Sequence, residues 1–386
     1  MRSPHSFLAV SLVALSGLPA WAQTVRLDAE ASSRMAIRAS TLTTSAADRV
    51  EASASAVKAA DAARLPIVSA NANVVQRSAV PEFGVPTDDP NQPVYILFPN
   101  IENTYSADLR LSQPIYAGGG IAANREAARL DESAATWSQS LTALDLAYLA
   151  RTHYWSAVAA AASVDVAKAQ LTRTHRLLDD ARALRDAGMA VNADVFAAEA
   201  RAAAAEVDVI RAETEEKKAL ASLRSLLGLE PARAIVLADT ETAEVPEAQM
   251  KLEDLQAEAL EKRPELMVTD ARIHGLGARA KATKAARIPN VGLTAHWRYA
   301  RPKERYLPPV DEGNDSWGIS LAASWQFFDG NRTKAQVAAI NAEQSALQAD
   351  RGELERQVLL EVERARLELR AALEAVSAAD ASAAAA

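Results

Sequence analysis

The stretch from about Ile121 to Ala187 contains neither proline nor glycine. These two residues interrupt helices, so their absence over such a length predicts one continuous α-helix. At roughly 1.5 Å per residue, this helix would be a rod on the order of 100 Å long, which does not fit inside a compact domain. Its apolar residues follow the 3–4–7 spacing of a coiled-coil seam, namely Leu141, Leu144, Tyr148, Trp155, Val158 and Ala162.

A second helix is predicted to return alongside this rod. Gly188 ends the first helix, and a second helical pattern runs from about Asp194 to Leu227 before Gly228 ends it. The two helices therefore form a long hairpin. The tip of the hairpin consists of Gly188, Met189, Ala190 and Val191. Abundant alanine and an aromatic content of only 5% are typical of long helices and coiled coils.

The chain also contains an internal repeat. Residues 62–68, with the sequence AARLPIV, match residues 285–291, with the sequence AARIPNV. Residues 109–119 match residues 321–331 in the same way. In both halves the order is helix, proline, strand, loop, strand, glycine and long helix. The pattern therefore predicts two structural repeats.

Apolar and polar residues alternate with a period of two in four segments, which predicts β-strands. The second repeat has two clear examples, at 291–299 and 317–327, and the first repeat has weaker ones at 68–74 and 105–112. Each segment has roughly the ten residues that a tilted transmembrane strand needs.

The segments that join the paired strands, near 78–103 and 301–315, are irregular and rich in proline, which suits the long outer turns of a membrane barrel. Four strands cannot close a barrel, because backbone groups left unpaired in lipid cost several kcal/mol each. Small closed barrels have about eight strands or more. We therefore expect several protomers to share one barrel, with the helical rods continuing its wall away from the membrane.

The N-terminus has the features of a secretory signal peptide. Arg2 supplies a positive charge, Phe7 to Leu18 is a short apolar run, and Ala20-Trp21-Ala22 is a small-x-small cleavage site. The alternative, a transmembrane anchor, would need about 20 apolar residues. The chain has no cysteine, which excludes disulfides, a lipoprotein anchor, thiol catalysis and zinc–thiolate sites.

The order of these elements resembles the TolC family of outer-membrane efflux proteins. Residues 111–119 (LSQPIYAGG) are similar to the strand-to-helix junction of the family, and residues 187–195 (AGMAVNADV) to its hairpin turn. Residues 226–228 (LLG) resemble its helix end, and residues 263–266 (RPEL) the start of its second repeat. Each motif alone is weak, but their order extends over nearly the whole mature chain.

The resemblance implies a mainly α protein with a membrane β-barrel part. Four strands per protomer would complete a shared trimeric barrel of twelve strands, and the helices would form a periplasmic tunnel. It also implies a homotrimer in the outer membrane, in contact with outer-membrane lipid, that docks to a periplasmic adaptor protein and an inner-membrane pump. The implied function is a passive export duct in a tripartite efflux or type I secretion system, without a cofactor.

Three sets of residues are candidate functional sites. The hairpin tip is the adaptor-binding site that the resemblance implies, although a plain helix–helix turn would have the same sequence features. The strand-to-helix junction, where glycines let the chain turn from strand into helix, comprises Pro114, Gly118, Gly119 and Gly330. Aromatic residues of the second repeat suit a girdle at the membrane interface rather than a soluble β core, namely Trp297, Tyr299, Trp317, Trp325 and Phe327.

The sequence carries no pattern that is typical of an enzyme. Its histidines lack paired metal-ligand spacing, and acidic pairs such as Asp179-Asp180 lie on helices rich in arginine and lysine. The net charge of −8 and the scattered basic residues argue against nucleic-acid binding. Two other classes remain open, a periplasmic adaptor or coiled-coil interaction protein and an exported hydrolase. The four alternating strands favour the channel over the adaptor, and a hydrolase would need a constellation of catalytic residues.

We expect four segments along the chain. These are a signal peptide over residues 1–22, a first repeat over 23–230, a linker over 231–250 and a second repeat over 251–386.

The second repeat is expected to lack the returning helix of its hairpin. When the repeats are aligned at Gly118 and Gly330, Ala386 corresponds to about Thr174, which precedes the turn. The last helix would then have no intramolecular partner for its own seam, which consists of Val358, Val362, Ala365, Leu369 and Leu373. We therefore expect a gap in the tunnel wall of each protomer.

Overall fold

The structure is a computed structural model that describes residues 24–238, 250–303 and 305–385. The predicted signal peptide, residues 1–22, lies outside the described residues, as does most of the predicted linker, residues 231–250. Among the described helices, none combines the length and the apolar composition that crossing a bilayer requires.

In chain order, the elements are β1 (Val25–Leu27), α1 (Ala29–Ala39), α2 (Thr41–Ala62), β2 (Ile67–Gln76), β3 (Phe83–Pro86), β4 (Val94–Phe98), β5 (Asn103–Ala117), α3 (Gly120–Asp186), α4 (Asn192–Leu226), β6 (Ile235–Leu237), α5 (Leu252–Lys262), α6 (Pro264–Ala285), β7 (Asn290–Arg301), β8 (Asn314–Ser324) and α7 (Arg332–Ala385). The predicted rod is confirmed, because α3 is a single helix of 67 residues. The predicted order of helix, strand pair and long helix is present in both halves of the chain.

The chain divides into two units. The first comprises residues up to Ser45 together with Ser140–Pro246, and the second comprises Ala46–Gln139 together with Glu247–Ala386. The first unit contains most of the α3–α4 hairpin, and the second contains the main sheet and the last three helices.

The core of the first unit lies where α1, α3 and α4 meet. Leu27, Ala36, Tyr154, Leu223 and Leu227 are almost completely buried there. The Tyr154 hydroxyl donates a hydrogen bond to the carbonyl oxygen of Ala238, 3.1 Å away, so this buried polar group is satisfied. The parallel pair of β1 and β6 covers the same core. Sequence reasoning missed β6, because a three-residue strand is too short to show a period.

Most of the seam predicted on α3 does not pack within the chain, although Val158 is partly buried against the core. Leu144, Tyr148 and Trp155 are 54%, 71% and 48% exposed. The buried stripe runs instead through Leu146, Ala150, Tyr154 and Ala157. Both stripes have the spacing of a coiled-coil seam, but alanines in the buried one allow the neighbouring helix to approach more closely. Leu144, Tyr148 and Trp155 thus remain as a second apolar stripe on the surface of a single chain.

The main sheet of the second unit has four antiparallel strands in the order β2-β5-β7-β8. The strands predicted near 68–74, 105–112, 291–299 and 317–327 are all present, although β8 ends at Ser324 and leaves Trp325 and Phe327 outside it. Within the described residues, β2 and β8 are the edge strands, and each pairs on one side only.

The segment near 78–103 was predicted to be irregular, and this was wrong in part. It contains a second hairpin, in which β3 pairs with β4 and Phe83 lies opposite Phe98. The five prolines of the segment masked this pairing, since proline weakens any strand pattern. Pro86 nevertheless lies at the end of β3, opposite Val94.

The helices α5 and α6 pack along α7 within the second unit. Two polar contacts contribute to the packing of α6 against α7. The guanidinium of Arg351 bonds the carboxylate of Asp270, with Nη2 3.1 Å from Oδ2, and the Gln344 side chain donates to the carbonyl of Ile273 at 3.0 Å. Of the seam predicted on α7, Val358 is buried, whereas Ala365 and Leu373 are exposed. Within the described residues, no helix follows α7.

Candidate functional site

The register of the main sheet separates apolar from polar side chains. Leu109 lies opposite Trp297, which lies opposite Trp317, and the alternation continues along most of all four strands. The exceptions include Gln113, Arg301 and Asp315 on the apolar face and Ile67, Ala300 and Ala322 on the polar face. The apolar face consists of Val68, Ala70, Ala72, Val74, Tyr105, Ala107, Leu109, Leu111, Val291, Leu293, Ala295, Trp297, Tyr299, Trp317, Ile319 and Leu321. The polar face consists of Ser69, Asn71, Asn73, Ser106, Asp108, Arg110, Ser112, Gly292, Thr294, His296, Arg298, Ser316, Gly318 and Ser320.

The predicted aromatic residues form two groups at opposite ends of β8. Trp317 lies in the strand opposite Trp297, and Tyr299 is two residues further along β7. The Tyr299 hydroxyl packs against Gly313, where a Cβ atom would lie only 2.0 Å away. A strand rises about 3.3 Å per residue, so the two groups are separated by roughly 25 Å.

The second aromatic group begins immediately after β8. The rings of Trp325 and Phe327 meet edge to face, with their centroids 6.0 Å apart. The Trp325 Nε1 donates to the carbonyl of Arg287 at 3.0 Å, which fixes the indole against the end of the preceding helix. Both side chains are exposed, and an exposed aromatic ring with one hydrogen-bonded polar tip is typical of membrane interfaces.

An ion pair at the end of β7 was missed by sequence reasoning. Arg301 donates from Nε and Nη2 to the two carboxylate oxygens of Asp311, at 2.8 and 2.9 Å. Its guanidinium also lies 5.4 Å from the ring centroid of Tyr105, where a cation–π contact forms. The hydrogen bonds from Arg301 lower the pKa of the Asp311 carboxyl. Together these contacts tie the loop after β7 to the end of the sheet.

Both junctions from strand to long helix contain consecutive residues with a left-handed backbone. Gly118 and Gly119 have φ angles of 59° and 82°, and Gly330 and Asn331 both have φ angles of 64°. A Cβ atom on Gly118 would lie 2.7 Å from Cβ of Ile288 and 2.9 Å from the carbonyl oxygen of Ala285. The first junction therefore needs glycine for its backbone angle and for the available space.

Pro114 and Asp329 support these junctions. Pro114 lies opposite Gly292, and an irregularity in the pairing follows, because Tyr116 is the next residue with a partner on β7. Asp329 caps α7, since its carboxylate accepts a hydrogen bond from the backbone N–H of Thr333 at 2.9 Å and another from the hydroxyl of the same residue. These hydrogen bonds lower the pKa of Asp329.

The hairpin tip is a tight, well-bonded turn with apolar side chains on its outside. Gly188 has a φ angle of 75°, and the N–H of Met189 donates to the carbonyl of Leu184 at 2.8 Å, which is the Schellman arrangement. The carboxylate of Asp194 accepts from the N–H of Val191 at 3.1 Å. Ala190 is half-buried. Met189, Val191 and Phe196 are 72%, 64% and 67% exposed.

Phe196 was not identified from the sequence, although it is a large apolar residue only five positions after the predicted tip. Its helix has buried residues at Val195 and Ala198, so Phe196 is turned outward by the helical period. The described residues contain no group of three or more histidine, aspartate or glutamate side chains placed to hold a metal ion.

Strands with one apolar and one polar face, joined through fixed turns to long helical rods, define a subunit of a membrane channel. The model of the outer membrane efflux protein family matches residues 34–229 and 255–386. The chain belongs to this family, and the resemblance to the TolC family is confirmed. It is a subunit of an outer-membrane efflux channel with a periplasmic helical part. The channels of this family are trimeric and work with adaptors and inner-membrane pumps.

Solved structures share this fold at low sequence identity. CusC, a transmembrane channel, is 17% identical with a TM-score of 0.72, and the alignment covers 95% of this chain and 81% of that one. A membrane protein from Pseudomonas aeruginosa is 20% identical with a TM-score of 0.70, covering 95% and 82%. The outer membrane protein VceC from Vibrio cholerae is 18% identical with a TM-score of 0.71, covering 89% and 79%. No curated protein matches this chain.

Proposed function

We propose that three copies of this chain close a barrel of twelve strands and form a passive export duct. The observation that carries this proposal is the register of the main sheet, which collects the apolar side chains on one face and leaves β2 and β8 as edges. Successive strands are antiparallel, so β2 and β8 run in opposite directions. The β8 edge of one copy can therefore pair with the β2 edge of the next as another antiparallel neighbour.

The apolar face lies against lipid in this arrangement, and the polar face lines the lumen. The two aromatic groups are about 25 Å apart along β8, which is roughly 20 Å along the membrane normal for a strand tilted by about 40° and is comparable with the apolar band of outer-membrane barrels, about 25 Å high. Trp297, Tyr299 and Trp317 thus form one interfacial girdle, and Trp325 and Phe327 form the other. In this proposal the aromatic residues predicted to form one girdle form two, one at each membrane interface.

The second apolar stripe on α3 supports association outside the membrane. Leu144, Tyr148 and Trp155 repeat at heptad-compatible intervals and are exposed in a single chain. An exposed stripe of this kind along a long helix is typical of a helix that packs against another chain. The tunnel wall therefore buries this stripe between protomers.

The hairpin tip is the docking site for the periplasmic adaptor, and energy for transport comes from the inner-membrane pump. Exposed apolar side chains at Met189, Val191 and Phe196 support this role, because a rigid turn that presents them loses little entropy on binding. The chain itself performs no chemistry on the cargo. The signal peptide, two repeats and linker over 1–22, 23–230, 231–250 and 251–386 remain our proposed segments.

Cysteine cross-linking between edge strands tests the proposal, since the natural chain has no cysteine. One population carries Asn71→Cys on β2, and a second carries a single cysteine at one polar-face position of β8, such as Ser320→Cys. Mixed assembly followed by oxidation should give dimers that contain one chain of each kind. Ser106→Cys on the interior strand β5 is the control and should not cross-link with Ser320→Cys.

The mass of the purified protein in detergent completes this test. A homotrimer with cross-links confined to edge strands agrees with a shared barrel. A stable monomer, or cross-links of equal yield from β5, would reject it.

A further inference from the structure

One row of polar-face side chains carries an unbalanced positive charge. Ser69, Arg110, His296 and Gly318 lie directly opposite one another across β2, β5, β7 and β8. Arg110 is exposed and forms no ion pair in the described part of the chain. The row contains no carboxylate, so nothing within it neutralises the guanidinium.

The rows on either side carry no net charge. One row consists of Asn71, Asp108, Arg298 and Ser316, in which the Arg298 Nε lies 2.9 Å from the Asp108 carboxylate. The other consists of Ile67, Ser112, Thr294 and Ser320, which are all neutral. Arg110 is therefore the one formal charge that its neighbours on this face leave uncompensated.

The neighbours of Arg110 also leave room for its side chain. Ser69 is small, and the next residue beyond His296 in the row is Gly318. The imidazole of His296 packs over Gly318, where a Cβ atom would lie 2.6 Å from Cε1. The histidine ring is thus held against the sheet over Gly318, and Arg110 is exposed.

The dimensions of the proposed barrel bring this charge close to the pore axis. Twelve strands about 4.8 Å apart and tilted by about 40° give a backbone radius of roughly 12 Å. An extended arginine covers much of that radius, and the Debye length is about 8 Å at physiological ionic strength. An ion on the axis would therefore experience the field of three guanidinium groups at one level.

We propose that Arg110 from each copy forms a cationic ring in the lumen, which makes the barrel favour small anions and anionic groups of the cargo over cations. This inference rests on the proposed trimeric barrel with its polar face inward. Rings of arginine or lysine are a general means by which pores select anions. Arg110 thus selects for anions within the barrel, independently of the cargo selection by the inner-membrane pump.

Ion selectivity of the full chain in a planar bilayer tests this inference. The reversal potential in a tenfold KCl gradient gives the permeability ratio of chloride over potassium. For three charges no more than about one Debye length from the axis at about 0.1 M salt, Arg110→Ala should lower this ratio at least about fivefold. Arg110→Glu should reverse the preference. Arg272→Ala removes an exposed arginine from α6, outside the sheet, and should leave the ratio unchanged.

A second variant tests the charge after assembly, in case Arg110→Ala fails to fold. Arg110→Cys introduces the single thiol of the chain. A positively charged methanethiosulfonate reagent should restore the anion preference of this variant, and a negatively charged one should reverse it. Salt near 1 M, where the Debye length is about 3 Å, should suppress all of these differences.

The outcomes separate the two proposals. Failure of the natural chain to form channels rejects the duct, and with it the ring. Channels whose selectivity is the same in the natural chain, in Arg110→Glu and in labelled Arg110→Cys reject the ring and leave the duct standing.

Discussion

Gly119 and Asn331 occupy equivalent positions in the two repeats, and both have a left-handed backbone, with φ angles of 82° and 64°. Each is the second of two consecutive left-handed residues between a strand and a long helix. Asparagine tolerates this conformation better than other residues with a side chain. The two junctions thus have the same backbone geometry with different residues.

The first prediction concerns the space at Gly118. Gly118→Ala should destabilise the protein by about 1–2 kcal/mol for its backbone angle and by about 1–3 kcal/mol more for the collision with Ile288 and Ala285. Thermal unfolding of the assembled protein measures the change. Gly119→Ala is the matched control, because nothing lies within 4 Å of its Cβ position, and it should lose only the backbone contribution. Equal losses in the two variants would contradict the packing argument.

The second prediction concerns the apolar face of the sheet. Leu293→Arg and Leu321→Arg, at opposed positions on β7 and β8, should each destabilise the membrane-inserted protein by about 2–4 kcal/mol. Thr294→Arg and Ser320→Arg, the next opposed pair on the polar face, are the controls and should have small effects. The yield of folded protein in lipid vesicles, measured as a function of denaturant concentration, gives these losses of stability. Near-neutral effects at 293 and 321 would show that this face does not contact lipid.

The third prediction concerns the hairpin tip. Met189→Cys carrying a photo-cross-linker should capture the periplasmic adaptor when both are expressed together, because the side chain is exposed at the turn. Val166→Cys, which is 70% exposed on α3 several turns from the tip, is the control and should capture less. If position 189 captured only lipid or reacted only with reagents outside the cell, the tip would lie at the wrong end for docking.

The fourth prediction contrasts two ion pairs of α7. Asp270→Asn removes the partly buried carboxylate that bonds Arg351 on the neighbouring helix, and should lower stability by about 1–2 kcal/mol. Glu353→Gln breaks the exposed pair with Arg356 on the same helix turn, and should cost no more than about 0.5 kcal/mol. Chemical unfolding followed by circular dichroism distinguishes the two. A larger loss from Glu353→Gln would overturn the ranking.

The fifth prediction concerns acid stability at the start of α7. Hydrogen bonds from Thr333 lower the pKa of Asp329 below its ordinary value of 3.8, so the folded protein holds this proton less tightly than the unfolded chain does. The contribution of Asp329 is therefore fully present above about pH 4 and is lost as the pH falls through the lowered pKa. Asp329→Ala should have a lower melting temperature at neutral pH and a shallower decline in acid. If the melting temperatures of the natural protein and of Asp329→Ala fell in parallel as the pH was lowered, Asp329 would not contribute to acid-dependent stability.

Much of this fold follows from sequence periodicity. The absence of proline and glycine located α3 to within one residue at each end, and the alternation around Trp297 and Leu321 located β7 and β8. These signals are strong because they are repeated over many residues. The short strands β3, β4 and β6 gave no comparable signal. Prolines masked the β3–β4 hairpin, and the position of β6 depends on β1, a partner distant in sequence.

The candidate sites were predictable to the extent that they depend on local geometry. Gly118, Gly188 and Gly330 all have positive φ angles, as glycine after a strand or helix suggests. The buried stripe of α3 was not predictable, because one helix carried two stripes of suitable spacing. Which of the two stripes becomes buried depends on where α4 packs against α3. Arg110 was also missed, since its isolation from carboxylates emerges only once four strands are placed in register.

The side chains buried between α3 and α4 change in size along the hairpin. Near the base, Tyr154, Leu223 and Leu227 are almost fully buried, whereas near the tip the cluster around Leu178 and Val195 relies on alanines. A buried methyl group contributes about 0.8 kcal/mol and a large side chain about 1.5–3 kcal/mol. Local opening should therefore require least free energy at the tip, and backbone amides there should exchange with solvent first. The free energy of local opening therefore decreases along the hairpin from its base to its tip.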